Sequence, residues 1–321
     1  MKKIIITGGN SFLSFHLVRY LEKDFKIICL FRKKVKNKFS KNIKKYILDK
    51  TKLEEIFKKE KNIFAVIHNA AFHSGANKNY EKFYNSNVAL TKKILEISKN
   101  SNVKNFLYLS SARTIGKKRG ISDNRTPYNL KKIDNYYGYT KYLGEKVCLN
   151  FKSKMNIKLV NPSMIIGKND FNPSPCGQLI RKILTKNFSF VIDTTVNLVD
   201  INDVCRAIKA IILRGKNKTK YILNAETISL IEFFKRISFG KKMFFIYLPY
   251  FVLVPVFKIM PLFLNFVGKN NYSVNTIYLA QKKFRYDGSF ITKDLNFKYR
   301  NIKKSIKAAA IWHKNYLSRL K

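Results

Sequence analysis

Three residues in the middle of the chain have side chains suited to proton transfer: Ser111, Tyr137 and Lys141. The phenol and the amine belong to the stretch YGYTK, and side chains at positions i and i+4 share one face of a helix. A nearby ammonium favours the phenolate and lowers the pKa of a tyrosine from about 10. The phenol can then exchange a proton with a hydroxyl or a carbonyl, while Ser111 orients the same oxygen. The pattern predicts a general acid/base site.

The same helix contains a second pair with identical spacing, Tyr142 and Lys146. Because the two tyrosines are offset by about 500° of helix, the pairs point roughly 140° apart and only one can face a cofactor. We choose Tyr137, because it begins the predicted helix and lies nearest the carboxyl edge of the sheet, where ligands bind.

The stretch TGGNSFLS, residues 7–14, is typical of a loop that cradles a dinucleotide pyrophosphate, but serine replaces glycine at two positions. Gly8 holds the first position, which makes the tight turn. Ser11 and Ser14 stand where glycine lets backbone approach the pyrophosphate and lets the helix pack on the strand. The anion would lie at the N-terminus of a helix beginning near Ser11. Serine is small and can donate to phosphate, so we expect a working loop. A degraded loop in a non-catalytic dinucleotide sensor or scaffold is the alternative.

Arg32 ends the second predicted strand, where the adenosine ribose of a dinucleotide would lie. An acidic residue there binds the 2′-hydroxyl of NAD, whereas an arginine accommodates the 2′-phosphate of NADP. We therefore expect NADP or NAD as the cofactor, with a slight preference for NADP.

Short apolar strands alternate with amphipathic helices from the N-terminus to Pro162. The predicted strands are residues 4–7, 26–31, 46–48, 65–68, 105–110 and 157–160. The predicted helices are residues 12–23, 53–59, 80–99 and 136–151. Alternation of this kind implies crossover connections and a parallel sheet, and continuous apolar strands imply helices on both faces. The predicted fold is α/β, with a doubly wound parallel sheet and a smaller, mainly helical C-terminal region. We expect residues 1–165 and 195–225 to form the cofactor-binding domain, and residues 166–194 and 226–321 the substrate-binding region.

The most apolar part of the chain is residues 243–267. Its longest uncharged run, from Met243 to Phe257, is shorter than the roughly 20 residues that span a bilayer. One interpretation is a buried segment of the substrate region. The other is an element that lies on a membrane surface, helped by flanking lysines.

The charge balance is strongly basic, with 64 Lys and Arg against 19 Asp and Glu and a net charge of +45. This excess predicts an anionic partner, unless it reflects compositional drift alone. No helix-turn-helix or RNA-reading motif accompanies the charge, so no specific nucleic-acid partner is expected. The four cysteines are isolated from one another and from histidine, which argues against a metal site or disulfides and favours a cytoplasmic protein.

Several short motifs follow one another along the chain in a fixed order. They are TGGNSFLSFHLV (7–18), VIHNAA (66–71), SNV (86–88), LSSARTIG (109–116), YGYTK (137–141), NPSMIIG (161–167) and LVDINDV (198–204). Together they resemble the extended short-chain dehydrogenase/reductases, specifically the NAD(P)-dependent epimerase/dehydratase group. The C-terminal stretch YDGSFITKDLNFKYRNIKKSIKAAAIWH is similar to the last segment of that group. The resemblance therefore implies a Rossmann-type fold over essentially the whole chain.

The resemblance also implies roles for individual residues. Ser111, Tyr137 and Lys141 would be the catalytic set, with Tyr137 and Lys141 also contacting the cofactor and Ser111 the substrate. The further cofactor-binding positions would be Gly8, Asn10, Ser11, Phe12 and Leu13 at the pyrophosphate, Arg32 at the ribose, Asp49 at the adenine, Asn69, Ala70 and Ala71 at the nicotinamide side, and Asn87 and Pro162 in the cleft. Asn161 would bind substrate, because some sugar-nucleotide epimerases place an Asn-Pro pair beside it. No metal is expected.

The resemblance implies an epimerase or keto-reductase acting on a nucleotide-linked or lipid-linked sugar, such as a polyprenyl-diphosphate sugar. Members that dehydrate sugar nucleotides carry an Asp-Glu pair where this chain has Ala112-Arg113, so a 4,6-dehydratase is disfavoured. A reductase of an apolar ketone or alcohol stays open as a further alternative. A homodimer through the helix from Tyr80 and the Tyr137 helix, and peripheral contact with the inner membrane face, are also expected.

Overall fold

A parallel sheet forms the centre of the molecule in the computed structural model, which describes residues 1–33, 39–73, 79–116, 118, 120–130, 136–186, 188–191, 193–238, 244–247 and 283–319. In chain order, the strands are β1 (Lys3–Thr7), β2 (Lys26–Phe31), β3 (Lys44–Ile47), β4 (Ile63–His68), β5 (Asn105–Leu109), β6 (Ile121–Ser122), β7 (Asn156–Pro162), β8 (Met164–Ile166), β9 (Phe188–Val191), β10 (Thr195–Asp200), β11 (Thr219–Leu223), β12 (Glu226–Ser229), β13 (Phe244–Tyr247) and β14 (Arg285–Tyr286). The main sheet has seven strands in the order β11-β7-β5-β4-β1-β2-β3, and every pairing in it is parallel.

Helices cover both faces of this sheet. They are α1 (Phe12–Leu21), α2 (Leu53–Lys59), α3 (Tyr80–Tyr84), α4 (Leu90–Asn100), α5 (Tyr136–Asn150), α6 (Pro175–Thr185), α7 (Ile201–Arg214), α8 (Leu230–Ser238), α9 (Ser289–Leu295) and α10 (Ile302–Ser318). In β1, Ile4 and Ile6 join a core cluster with α1, α7 and α9, whereas Ile5 joins a cluster with α2, α4 and α5. Successive strand residues point to opposite faces, so an unbroken apolar strand needs both layers. The prediction of a doubly wound parallel sheet is confirmed.

The predicted 80–99 helix differs from the observed structure in its middle. Residues 80–100 are helical throughout, but Asn85–Ala89 form a π-helical turn between α3 and α4. Asn87 in that turn is fully buried, and its side chain bonds to the backbone N–H and C=O of Phe72 and to the hydroxyl of Thr140. The wide turn directs this amide toward the loop after β4 and toward α5. Single π-helical turns of this kind are frequent at functional sites.

Smaller sheets and helices occupy the C-terminal part. Strands β12, β10 and β8 form one sheet, and the short pairs β13–β9 and β14–β6 form two more. Helices α6, α8 and α10 pack around a separate apolar cluster that includes Ile180, Phe233 and Ile306. Of the apolar 243–267 stretch, only Phe244–Tyr247 is described, as strand β13 paired with β9, so the membrane-surface prediction falls mainly outside the described residues. Among the helices that are described, none is both long and apolar enough to span a bilayer.

Candidate active site

Three loops meet at one edge of the main sheet. Strand β1 lies beside β4 with Thr7 opposite His68, and β4 lies beside β5 with His68 opposite Tyr108. Because the strands are parallel, the loops after Thr7, His68 and Leu109 leave the sheet at the same carboxyl edge. Ligands bind at this edge in open α/β sheets. The glycine loop and the Ser111 turn therefore lie at the same end of the sheet.

The glycine loop turns so tightly that its first two glycines cannot be replaced without a clash. Gly8 has a φ of +75°, and a Cβ on it would lie 2.9 Å from the backbone N and Cα of Ala70. A Cβ on Gly9 would lie 2.4 Å from the ring of Phe31. Gly8 was expected at this turn from the sequence and Gly9 was not, although the adjacent glycine pair could have indicated both.

The two serines of the loop are tied to Asn69 by hydrogen bonds. Ser11 caps α1, and its Oγ accepts a hydrogen bond from the Ser14 backbone N–H at 3.0 Å. The Asn69 amide donates to Ser11 Oγ at 2.7 Å and to Ser14 Oγ at 2.8 Å. The serines thus fix the loop to the segment after β4. Because Ser11 Oγ accepts both bonds, its own proton stays available to a phosphate oxygen.

A buried chain of hydrogen bonds through Thr7, His68 and Thr91 holds the same loops in place. Thr7 Oγ1 accepts hydrogen bonds from the backbone N–H groups of Asn69 and Ala70, so its proton goes to His68 Nδ1 at 2.9 Å. Thr91 Oγ1 donates to the Asn87 carbonyl and accepts from His68 Nε2 at 3.0 Å. Burial lowers the pKa of His68 to about 3, so the ring is neutral and holds β1, β4 and α4 together.

The Ser111 hydroxyl lies near the Tyr137 phenol and favours its ionised form. Ser111 Oγ accepts from the Arg113 backbone N–H at 3.2 Å, so its own proton stays available for donation. Burial raises the pKa of Tyr137, while the Arg113 charge and the Ser111 hydroxyl both oppose that rise. The His73 ring also borders the phenol, in edge contact with ring centroids 4.6 Å apart. Tyr142 of the second motif instead stacks on Tyr128, with centroids 4.7 Å apart.

Lys141 lies beneath the site on α5. Its ammonium donates to the Leu109 carbonyl and lies 3.9 Å from the centroid of the Tyr108 ring. Burial lowers the pKa of Lys141 to about 7. Arg113 is a second cation, whose charge opposes the rise of the Tyr137 pKa. The effect of Lys141 on the phenol stays a prediction.

Glu145, which the sequence analysis did not assign to the site, organises the turn that carries Ser111. It lies one turn after Lys141 on α5 and is fully buried. Its Oε1 accepts from Ser110 Oγ, from Thr114 Oγ1 at 2.6 Å and from Asn161 Nδ2, and its Oε2 pairs with Lys220 Nζ at 2.6 Å. One carboxylate therefore joins α5 to the Ser111 turn and to strands β7 and β11.

The remaining assigned residues fall into three groups by burial. Leu13, Asn87, Asn161 and Pro162 are buried, whereas Arg32, Asp49 and Ala71 are exposed and Asn10, Phe12 and Ala70 are partly buried. Asn161 donates to the Ser111 carbonyl and to Thr114 as well as to Glu145, so its amide nitrogen is used by the protein, and substrate binding by it stays a prediction. Likewise, the Asn69 side chain donates to the two serines of the glycine loop, and its place at the nicotinamide side stays a prediction.

Arg32 and Asp49 lie at the ends of neighbouring strands. Arg32 directly follows β2, and Asp49 comes two residues after β3. The Leu48 N–H donates to the Phe31 carbonyl at 2.8 Å, which keeps the two strand ends together. Their side chains are therefore at the same carboxyl edge as the glycine loop, one strand and two strands away from β1.

A glycine-cornered loop at the same sheet edge as the Ser111 turn, with Tyr137 and a buried lysine on α5, is the arrangement of a short-chain dehydrogenase/reductase. Comparison with known proteins gives the family. A sequence profile of the NAD dependent epimerase/dehydratase family matches residues 4–225. The chain belongs to this family, and the prediction of an enzyme of the extended short-chain dehydrogenase/reductase type is confirmed.

Individual relatives differ in what they are reported to act on. A putative dihydroflavonol 4-reductase of Synechocystis sp. is 26% identical, over 97% of this chain and 94% of that protein. The solved structure of gox2253 matches with a TM-score of 0.84 and 22% identity, covering 98% of this chain and 99% of the other. The UDP-glucose 4-epimerase of Thermotoga maritima, solved with UDP-glucose, matches with a TM-score of 0.77 and 18% identity, covering 98% and 99%. The two structural matches support the fold.

Proposed function

We propose that this enzyme oxidises or reduces a secondary carbinol or ketone of a nucleotide-linked sugar, as an epimerase or a keto-reductase that uses NADP or NAD. The observation that carries the proposal is that Ser111, on the turn after β5, lies near the Tyr137 phenol at the sheet edge that also holds the glycine loop. A sensor that only binds a dinucleotide has no need for an oriented phenol. The UDP-glucose bound to the Thermotoga maritima neighbour supports a sugar nucleotide as the substrate.

The residues present fit a dinucleotide. The Gly8–Gly9 corner makes the tight turn into α1, the N-terminus of α1 attracts the pyrophosphate charge, and Ser11 keeps one proton to donate. Arg32 is exposed at the end of β2, where it would meet a 2′-phosphate, and this favours NADP. A bound nicotinamide supplies the hydride acceptor or donor at the reacting carbon.

The chain's own residues handle the proton and the oxygen. Ser111 would hydrogen-bond the substrate oxygen and hold it against Tyr137, whose phenolate takes up the hydroxyl proton on oxidation and whose phenol returns it on reduction. The Arg113 charge favours the phenolate form during this exchange. Lys141 donates to the Leu109 carbonyl beneath the site, and its proximity to the cofactor ribose is part of the proposal.

Cofactor titration with two matched variants tests the proposal. Wild type is expected to bind NADPH more tightly than NADH, followed by nicotinamide fluorescence, and to turn over keto-sugar nucleotides. Tyr137→Phe should keep cofactor binding and lose at least about 100-fold in kcat, the contribution of a positioned acid/base. Tyr142→Phe, the same change in the second motif, should keep both. Cofactor binding without any Tyr137-dependent turnover would favour the sensor, and absence of cofactor binding by the folded protein would refute the proposal.

A reductase of an apolar ketone is the second candidate, and the Synechocystis relative favours it. Turnover of dihydroflavonols but not of sugar nucleotides would select it. Whichever substrate is used, we propose that residues 166–194 and 226–321 bind it. We also propose that residues 243–267 contact the cytoplasmic membrane face when the sugar is carried on a polyprenyl diphosphate.

The homodimer expected from the sequence has a candidate surface. Tyr80 and Tyr84 on α3 and Tyr136 on α5 are 37%, 41% and 41% exposed, and the Tyr80 ring contacts both Tyr84 and Tyr136. Exposed, clustered aromatic side chains are typical of protein interfaces. We propose that two copies pair through this face. Sedimentation of wild type and Tyr80→Glu would show a dimer and its loss, and a monomeric wild type would contradict it.

A further inference from the structure

Arg113 projects from the turn that carries the reacting serine. Ala112–Thr114 form a short 3₁₀ helix after β5, with Ser111 as its N-cap. Ala112 and Thr114 are buried, whereas Arg113 is exposed. The turn therefore directs one cationic side chain away from the core. In the dehydratases of the family that this sequence resembles, an Asp-Glu pair stands where this chain has Ala112-Arg113.

The guanidinium acts on both aromatic rings that border the reaction site. Burial is the main cause of the lowered pKa of His73 and of the raised pKa of Tyr137, and the Arg113 charge is the next cause for both groups. The His73 and Tyr137 rings are in edge contact, with centroids 4.6 Å apart. The Arg113 backbone N–H donates to Ser111 Oγ at 3.2 Å, so the arginine leaves the chain beside the serine that faces the phenol.

Within the part of the chain that the structure describes, no carboxylate pairs with Arg113. Three of the other described arginines have such partners, since Arg206 and Arg300 pair with Asp203 and Arg236 pairs with Glu232, whereas Arg32 and Arg319 have none among the described residues. A guanidinium presents a planar fork of donors that matches a carboxylate bidentately. An exposed arginine beside a reacting phenol is therefore suited to an anionic group on the substrate.

We propose that Arg113 binds a carboxylate on the carbon next to the reacting carbinol, so that the preferred substrate is a β-hydroxy acid or β-keto acid, such as a hexuronic acid that reacts at C4. The inference rests on the proposed function, because Ser111 and Tyr137 fix where the reacting oxygen lies. The carboxylate is on the carbon adjacent to the reacting carbon. Arg113 follows Ser111 by two residues, so its side chain can reach that carboxylate. In oxidation the hydride leaves the carbinol carbon for the nicotinamide, the hydroxyl proton passes to Tyr137, and the carboxylate is unchanged.

Two pairs of ligands isolate the carboxylate from the rest of the substrate. UDP-glucuronic acid and UDP-glucose differ in the group on the carbon next to C4, and 3-hydroxybutyrate differs from its methyl ester only in charge and one methyl group. Binding to the protein saturated with oxidised cofactor is measured by calorimetry, so the readout does not depend on turnover. The experiment is done at about 0.15 M salt, where distant surface charges are largely screened.

Wild type should bind the acid at least about ten-fold more tightly than its neutral partner in one of the pairs, which is the effect of one charge-assisted hydrogen-bonded contact. Arg113→Gln should abolish that preference, and Arg113→Lys should retain part of it because the charge remains without the planar fork. Arg319→Gln is the matched control, since Arg319 is exposed at the end of α10. It removes the same charge and should keep the full preference.

Each outcome decides the proposal. Absence of a preference for the acid in both pairs, or a preference that survives Arg113→Gln, overturns the Arg113 site. A preference for 3-hydroxybutyrate alone, lost in Arg113→Gln, supports the site but contradicts a sugar nucleotide as the substrate. A preference for UDP-glucuronic acid that depends on Arg113, without turnover of any substrate, supports the site and contradicts the catalytic proposal.

Discussion

Replacement of Glu145 by glutamine tests whether one buried carboxylate holds the reaction turn in place. The glutamine side chain would keep the shape and one acceptor oxygen for Ser110, Thr114 and Asn161, but it would place a neutral amide against the Lys220 ammonium. Removing one partner of a buried pair costs roughly 3–5 kcal/mol. Glu145 is fully buried while the Lys220 side chain is 20% exposed, so we expect a loss near the lower end, about 3 kcal/mol.

Urea denaturation followed by circular dichroism measures this loss, and thermal unfolding should show a decrease in Tm of roughly 6 °C. Glu55→Gln, an exposed position on α2, is the control and should stay within about 0.5 kcal/mol of wild type. Adding Lys220→Met to the Glu145 variant removes the unpaired cation and should recover part of the stability. A loss below about 1 kcal/mol, or a double variant no more stable than the single one, would refute the reasoning.

The glycine loop, Asn69 and Lys141 give three further predictions. Gly8→Ala should weaken NADPH binding at least about ten-fold and cost about 1–3 kcal/mol, because its Cβ meets Ala70 backbone at 2.9 Å and its φ is +75°. Gly120→Ala, with a φ of +87° and open space around it, should leave NADPH affinity intact, and equal affinities of the two variants would contradict the clash. Asn69→Ala removes the side-chain amide that donates to both loop serines, so it should destabilise by about 1–3 kcal/mol and weaken NADPH binding, as measured by fluorescence titration. Lys141→Met should be more stable than wild type at pH 6, with the difference shrinking as the pH rises. Burial lowers the Lys141 pKa to about 7, so from there to its ordinary value near 10.5 the folded state binds fewer protons and wild-type stability increases with pH. Urea denaturation of both proteins from pH 6 to 9 measures it, and a pH-independent difference would argue against a depressed pKa.

The sheet was predictable because its signal is local. Each residue of Ile4–Ile6 is buried on one face or the other, and a continuous apolar strand can only be covered by helices on both sides. The boundaries were less well predicted: the third strand was expected at 46–48 and is Lys44–Ile47. The π-turn at Asn85–Ala89 could not be read from helical spacing, because the apolar pattern continues through it.

The site was predictable only where its residues are neighbours in sequence. The Tyr137–Lys141 spacing and the Gly8 turn are local motifs. In contrast, the role of Glu145 depends on partners that lie 16 to 75 residues away along the chain, and these separations carry no periodic signal. In the sequence, Arg113 stands out only because it replaces one residue of an acidic pair. Its position relative to the phenol depends on the packing of α5 on the turn after β5, which the sequence does not show.

The bond between Asn69 and the two loop serines has a consequence for the order in which the protein assembles. Asn69 follows Ser14 by 55 residues and is brought to it only when β4 pairs with β1. Until then the serine hydroxyls lack the Asn69 side-chain amide as a donor, and the Gly8 turn does not pack against the Ala70 backbone. A nascent chain that has not yet emerged beyond β4 therefore lacks a competent nucleotide loop, although the loop's own residues were synthesised first. Nucleotide affinity thus reports that the first half of the sheet has closed, and a fragment ending before residue 63 should have none.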